Sequence, residues 1–331
     1  MQRAPGSERG RSSSRVRVSL ARISQREVSL RGLTASGLLL LAACGGADVA
    51  QTEGSASLEA VLSIDRIEDA AHGEASAASA MAQFVILPSD ADVHDTLSAA
   101  GLRSQLPERS GCVDQAEAAL RANRTGFALR EPLELLEAGE VSIQVGEMLT
   151  RLALNSFPPS GSASGVIYTT PDQSAAPLPA DENYAIRATG AGNIPPISIA
   201  GRAPGMLADI TVGGVPLERA PQLVAGQPLD LTWAEGSVGD RVVVELTDGE
   251  TNLFCAFPDE DGSGSLPGSL TAQLRPEPST GTVRLSVRRI REAMQAQSDA
   301  ADPTLEYGRD GLSLATTVRF DFEVTALLRA Q

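Results

Sequence analysis

The chain has 331 residues, enough for one large or two modest domains. With 42% hydrophobic and 21% charged residues it can close a core, which excludes a peptide hormone, a collagen and a multi-pass membrane protein. The net charge is −15, and all 27 basic residues are arginine. The arginines crowd at the start: from Cys44 onward, 19 arginines face 40 carboxylates, a net charge of −21. So acidic a body excludes a nucleic-acid partner, because phosphates demand a basic footprint.

The first 43 residues read as a signal peptide. An arginine-bearing stretch through Arg31 leads into the apolar run Leu33–Ala43, which stops at Cys44-Gly45-Gly46. Basic flank, short apolar region and small residues are the marks of an export signal, and about a dozen residues is too short for a spanning helix. Leu41-Ala42-Ala43-Cys44 resembles a lipobox, the cleavage and acylation site of bacterial lipoproteins. That resemblance implies that Cys44 becomes the first mature residue and carries the acyl chains, making the lipid bilayer the first expected partner. A cysteine is needed because its thiol forms the thioether to diacylglycerol.

Residues 44–80 are small and acidic and read as a flexible tether. Within it Leu58, Val61, Leu62 and Ile67 have partial helical spacing and suggest a short helix. From Phe84 the pattern becomes short alternating runs between Gly, Pro, Asp and Ser, which is the signature of strands and turns. The clearest are Val141/Ile143/Val145, Leu229/Leu231/Trp233, Val242–Leu246, Leu253–Phe257, Val283/Leu285/Val287 and Val318/Phe320/Phe322/Val324. The segment Ser269–Leu274 reads as one more strand. Val113–Asn123 is the best helix candidate, with Ala116, Ala119 and Leu120 on one face, and Arg289–Ser298 is either a second helix or the continuation of a strand.

The expected fold class is therefore mainly β, with antiparallel sandwich-like domains following a disordered signal and tether. The Pro- and Gly-rich segment 196–206 divides a β-rich domain, residues 81–205, from a second domain, residues 206–331. The order of strands in the second resembles immunoglobulin-like and fibronectin-like sandwiches, without the Cys…Trp…Cys order of antibody domains. The chain also resembles lipoproteins of GC-rich Gram-negative bacteria in three places. These are Cys44, the glycine-rich turn and Pro-bearing strand at Ala188–Ile197, and Phe254-Cys255-Ala256-Phe257 with the Gly262–Pro267 turn. That group implies a location and a fold and carries no catalytic residue.

Catalytic chemistry is scarce. His72 lies in the tether; His94 stands near Asp92 and Asp95, but no G-x-S-x-G elbow presents a serine to it. Asp259-Glu260-Asp261-Gly262-Ser263-Gly264 offers hard oxygens to calcium but has its glycine at the fourth position, so it is not an EF-hand and reads as a solvated acidic loop. Gly190-Ala191-Gly192 lacks the third glycine of a dinucleotide fingerprint. Trp233 shares a face with Leu229 and Leu231 and reads as core, while Tyr168, Tyr184 and Tyr307 are candidate exposed contacts, though three scattered tyrosines are not a glycan platform. Once Cys44 is acylated, Cys112 and Cys255 form an even pair in an oxidising compartment and are expected to be bonded, against the alternative of two buried free thiols. No catalytic residue, metal ligand or cofactor is assigned. The expected function is an outer-membrane lipoprotein whose body is a non-enzymatic structural or binding module, its protein or glycan partner open. The alternatives are a hydrolase with acidic residues in an interdomain cleft, and a sugar- or calcium-binding module.

Overall fold

Strict alternation of apolar and polar residues along long stretches of the chain is what a pleated backbone with two unlike faces requires. The computed structural model describes residues 56–71, 75–88, 96–98, 110–114, 133–157, 163–172, 178–192, 194–275, 281–296 and 313–330. Nineteen strands form in these residues, and the fold class is mainly β.

The first ten are β1 (Ala56–Asp69), β2 (Ala75–Pro88), β3 (Gly111–Asp114), β4 (Leu133–Leu135), β5 (Val141–Val145), β6 (Met148–Arg151), β7 (Ala153–Phe157), β8 (Ala163–Thr169), β9 (Asn183–Ala188) and β10 (Ile197–Arg202). The rest are β11 (Thr211–Val212), β12 (Val215–Pro216), β13 (Gln222–Leu223), β14 (Leu229–Thr232), β15 (Arg241–Thr247), β16 (Asn252–Pro258), β17 (Ser263–Leu266), β18 (Thr282–Ala296) and β19 (Ser313–Ala330). A large sheet runs in the order β3-β16-β15-β18-β19-β1-β2-β4-β8-β7, with β13 joined to the far end of β19. Two smaller sheets have the orders β10-β9-β5-β6 and β12-β11-β14-β17.

Both small sheets cover the same face of the large one. Val318, Phe320 and Phe322 of β19, with Leu58–Ile64 of β1 in alternation, pack against β5, β9 and β10. Val324 and Leu328, on the same side of β19, join Val242, Val244, Val283, Leu285 and Val287 against β11, β14 and β17. Edge-on aromatic contacts lock the first core, with Tyr184 and Phe320 centroids 5.1 Å apart and Phe84 and Tyr168 5.8 Å apart. The first core takes residues up to Ala203 and the second residues from Leu207, with Met206 packed against both. One sheet runs beneath both cores, and the described residues form a single compact unit.

Several expectations are corrected. Residues from Ala56 to Asp69 and from Ala75 to Pro88 are long strands, not a tether with a short helix. Leu58, Ala60, Leu62 and Ile64 point to the first core, a period of two that outweighs the partial helical spacing. Val113 lies in β3 and does not begin a helix, while residues 115–123 lie outside the described residues. For Arg289–Ser298, the strand reading of the two holds, as far as Ala296. Gly268–Thr271, expected to begin a strand, is a helical turn, in which the Thr271 hydroxyl donates to the Gln227 carbonyl. The pairing is mostly antiparallel, yet β1 runs parallel to β19 over thirteen residue pairs, from Ser57 opposite Ser313 to Asp69 opposite Thr325.

Two glycines are fixed by close approach. Gly190 has φ +81°, and a Cβ there would lie 2.7 Å from the Ile194 carbonyl in the turn that leads into β10. A Cβ on Gly236 would collide with the Asp259 carboxylate, which that loop closes over.

Candidate functional site

On the face of the large sheet turned away from the small sheets, a band of charge runs between two buried apolar clusters, Val61, Val85, Leu87 and Leu135 on one side and Val113, Val243, Phe254 and Ile290 on the other. Ser63 and Asp65 on β1, Arg319, Asp321 and Glu323 on β19, Ser286 and Arg288 on β18, and Glu245 on β15 form a row across four neighbouring strands. The register builds it: Asp65 is opposite Asp321, Glu323 opposite Arg288, and Glu245 opposite Ser286. Arg288 sits at the centre, 3.4 Å from Asp321, 3.3 Å from Glu323 and 3.9 Å from Glu245. Arg319 pairs with Asp321, and the Ser286 hydroxyl donates to Glu323 at 2.7 Å. Four carboxylates against two guanidiniums leave the row acidic. Burial, then the Asp321 charge, push the Asp65 carboxyl up to about 6. Burial also raises Glu245, against the pull of Arg288. Arg288 is held above its ordinary value in spite of burial, because Asp321, Glu323 and Glu245 surround it.

A cavity of about 480 Å³ opens at one end of this row, with Glu323 on its wall. The end of β1, the middle of β19 and the short helical turn Leu217–Arg219 enclose it, and Arg284 stands beside it on β18.

On the opposite face, two arginines of β18 hold the connector between the cores. Arg289 donates to the carbonyls of Gly205 and Met206 at 3.2 Å and of Ala234 at 2.7 Å, and grips Asp259 through both Nε and Nη2. Arg291 makes a two-pronged pair with Asp240 and donates to the Arg202 carbonyl at 3.1 Å. Burial raises the Asp259 carboxyl and Arg289 opposes that rise. The Asp259–Gly264 segment is thus only partly a solvated loop: Asp259 is wholly buried and taken by Arg289, while Glu260 and Asp261 are exposed. Among the described residues, no group of three or more His, Cys, Asp or Glu side chains is placed to hold a metal ion.

Cys112 and Cys255 are register partners on β3 and β16 and are joined by a disulfide, their Cα atoms 4.0 Å apart. Trp233 is buried in the second core, its indole donating to the Asp259 carbonyl at 3.1 Å. Tyr168 and Tyr184, expected as exposed contacts, are buried: the Ala138 amide donates to the Tyr168 oxygen, and the Tyr184 hydroxyl donates to the Pro179 carbonyl. Each phenol has a partner inside, and the large apolar ring then gains by leaving water. Cys44, His72, Asp92, His94, Asp95 and Tyr307 lie outside the described residues. The charge row went unseen in the sequence because its members are spread from Asp65 to Glu323 and meet only through strand register; the signal was there in the charged odd positions of the final strand, Arg319, Asp321 and Glu323. A scan against models of protein families and a search of curated proteins each find no match for this chain.

Proposed function

We propose that the chain is a lipoprotein of the cell envelope, held in the outer membrane through acylated Cys44, whose body is a non-enzymatic structural or binding module built as a sandwich of sheets. The observation that carries this reading is the lipobox Leu41-Ala42-Ala43-Cys44 behind a short apolar run and a basic flank. Cys44 stands 12 residues ahead of Ala56, the start of β1. Gly45 follows the cysteine where related sorting systems read aspartate as inner-membrane retention, which favours the outer membrane. Multiple acyl chains give stable anchoring where one gives marginal binding. The ion pairing of the body supports a structural role, since Asp259, Asp240 and Asp321 are each answered by an arginine.

Labelling with a radioactive fatty acid tests the anchor. The wild-type chain is expected to incorporate label and to sediment with outer membranes, while Cys44→Ala remains an unlabelled precursor; label entering Cys44→Ala would overturn the assignment.

One observation favours a second reading, that of a hydrolase: Asp65, its carboxyl pushed up to about 6 by burial and by the charge of Asp321, stands opposite that second carboxyl in the strand register. Under that reading Asp65→Asn abolishes a measurable hydrolytic activity without unfolding the chain; under the first, Asp65→Asn changes stability alone.

A further inference from the structure

On the β1 side of β19 the ladder is interrupted. β1 pairs as far as Asp69 opposite Thr325, and β13 takes over only at Gln222 opposite Arg329. Among the described residues, no strand pairs with Ala326, Leu327 and Leu328 on that side. The cavity of about 480 Å³ occupies this interruption, a volume suited to a small organic ligand.

Its lining has a defined polarity. Leu217 is 2% exposed and forms the base, Ile67 a side, and Leu327, 56% exposed, the mouth. Three carboxylates, Asp69, Glu218 and Glu323, outnumber the guanidinium of Arg284. Glu323 shares its charge with Arg288, whereas Glu218 projects from the exposed side of the helical turn. A chain of net charge −15 attracts cations at long range as well.

We propose that this cavity binds a small amphipathic organic cation, an ammonium or guanidinium group on a short apolar chain. The apolar chain lies against Leu217 and Ile67, and the cationic head meets Glu218 and Asp69. An anion would meet one guanidinium among three carboxylates, and an uncharged apolar solute would strip water from those carboxylates with nothing in return. The inference deepens the binding-module reading and rests on it.

Calorimetric titration of the full chain in non-ionic detergent, with pentylamine, spermidine and pentanoate as probes, is the test. Saturable binding of the amines is expected, at least about tenfold tighter than that of pentanoate. Leu327→Trp, which fills the mouth, and Glu218→Gln, which removes a carboxylate, are each expected to weaken the amines by about tenfold or more. Both side chains are exposed, and thermal unfolding checks that the variants fold. Absence of saturable amine binding, equal binding of pentanoate, or amine binding unchanged in Leu327→Trp would overturn the assignment. Any of these leaves fatty-acid labelling of Cys44 to decide the anchor, so the two readings fall separately.

Discussion

Asp65 shows what one carboxyl costs when strand register sets it opposite another. Its neighbours are Asp321 across the parallel ladder, Arg319 and Arg288 from β19 and β18, and Ser63 on its own strand. The arginines spend most of their charge on Asp321, Glu323 and Glu245, so burial dominates and the carboxyl rises from 3.8 to about 6. Between these two values the folded chain keeps a proton that the unfolded chain has released. Stability contributed by this group is therefore fully present below 3.8 and is lost as pH climbs toward 6. Asp65→Asn is expected to flatten that descent and to gain roughly 2 kcal/mol at neutral pH, discounted for partial exposure. Urea midpoints measured from pH 4 to pH 7.5 check it, and a variant that tracks the wild type over that range would remove Asp65 from the account.

At the scale of elements, β3 is a four-residue edge strand held by its pairing with β16, by Val113 packing on Val243, Phe254 and Ile290, and by one covalent bond. The disulfide closes a 143-residue separation, for which loop-closure entropy gives about 4–5 kcal/mol, delivered in part. The double variant Cys112→Ala with Cys255→Ala is expected to unfold about 2–4 kcal/mol earlier in denaturant titrations and to lose protection of the β3 amides first in hydrogen exchange. Elements with a clean alternation were readable from residues alone: Val141/Ile143/Val145 became β5 and Val318/Phe320/Phe322/Val324 the core side of β19. β1 was obscured because Glu59, Asp65, Arg66, Glu68 and Asp69 make it look soluble, and what keeps those side chains in a sheet is a partner strand at the other end of the chain. The helical turn at Gly268–Thr271 was hidden for the opposite reason, since Leu270 and Leu274 give the segment an apolar look that the backbone after Pro267 does not follow. Of the candidate site, the disulfide was legible from cysteine count, whereas the charge row and the cavity depend on register that no local pattern encodes.

Over the whole molecule, Arg289 ties the two cores together in addition to the sheet that runs beneath both. It holds the carbonyls of Gly205 and Met206, where the chain passes from one core to the other, together with the buried Asp259. Removing it strands a carboxylate with 0% exposure, and such losses cost about 3–5 kcal/mol. Arg289→Met is expected to lower stability by that amount and to split a single calorimetric transition into two, as the connector comes free. Arg289→Lys is expected to fall between, keeping the charge but losing the fork that reaches four acceptors.

The parallel union of the first and last strands has a consequence for time. Thr325 donates to the Glu68 carbonyl across 257 positions of chain. A ribosome or an export channel delivers the β1–β2 hairpin long before β19 exists. Until the last twenty residues arrive, Leu62, Ile64 and Phe84 have no Phe320 or Phe322 to meet. Folding of this kind is slow, because the longest loop closes last, and the waiting hairpin is open to misassociation. A chain built this way needs either a holding chaperone during delivery or enough charge on the waiting strands to keep them apart, and the acidic residues of β1 supply the second.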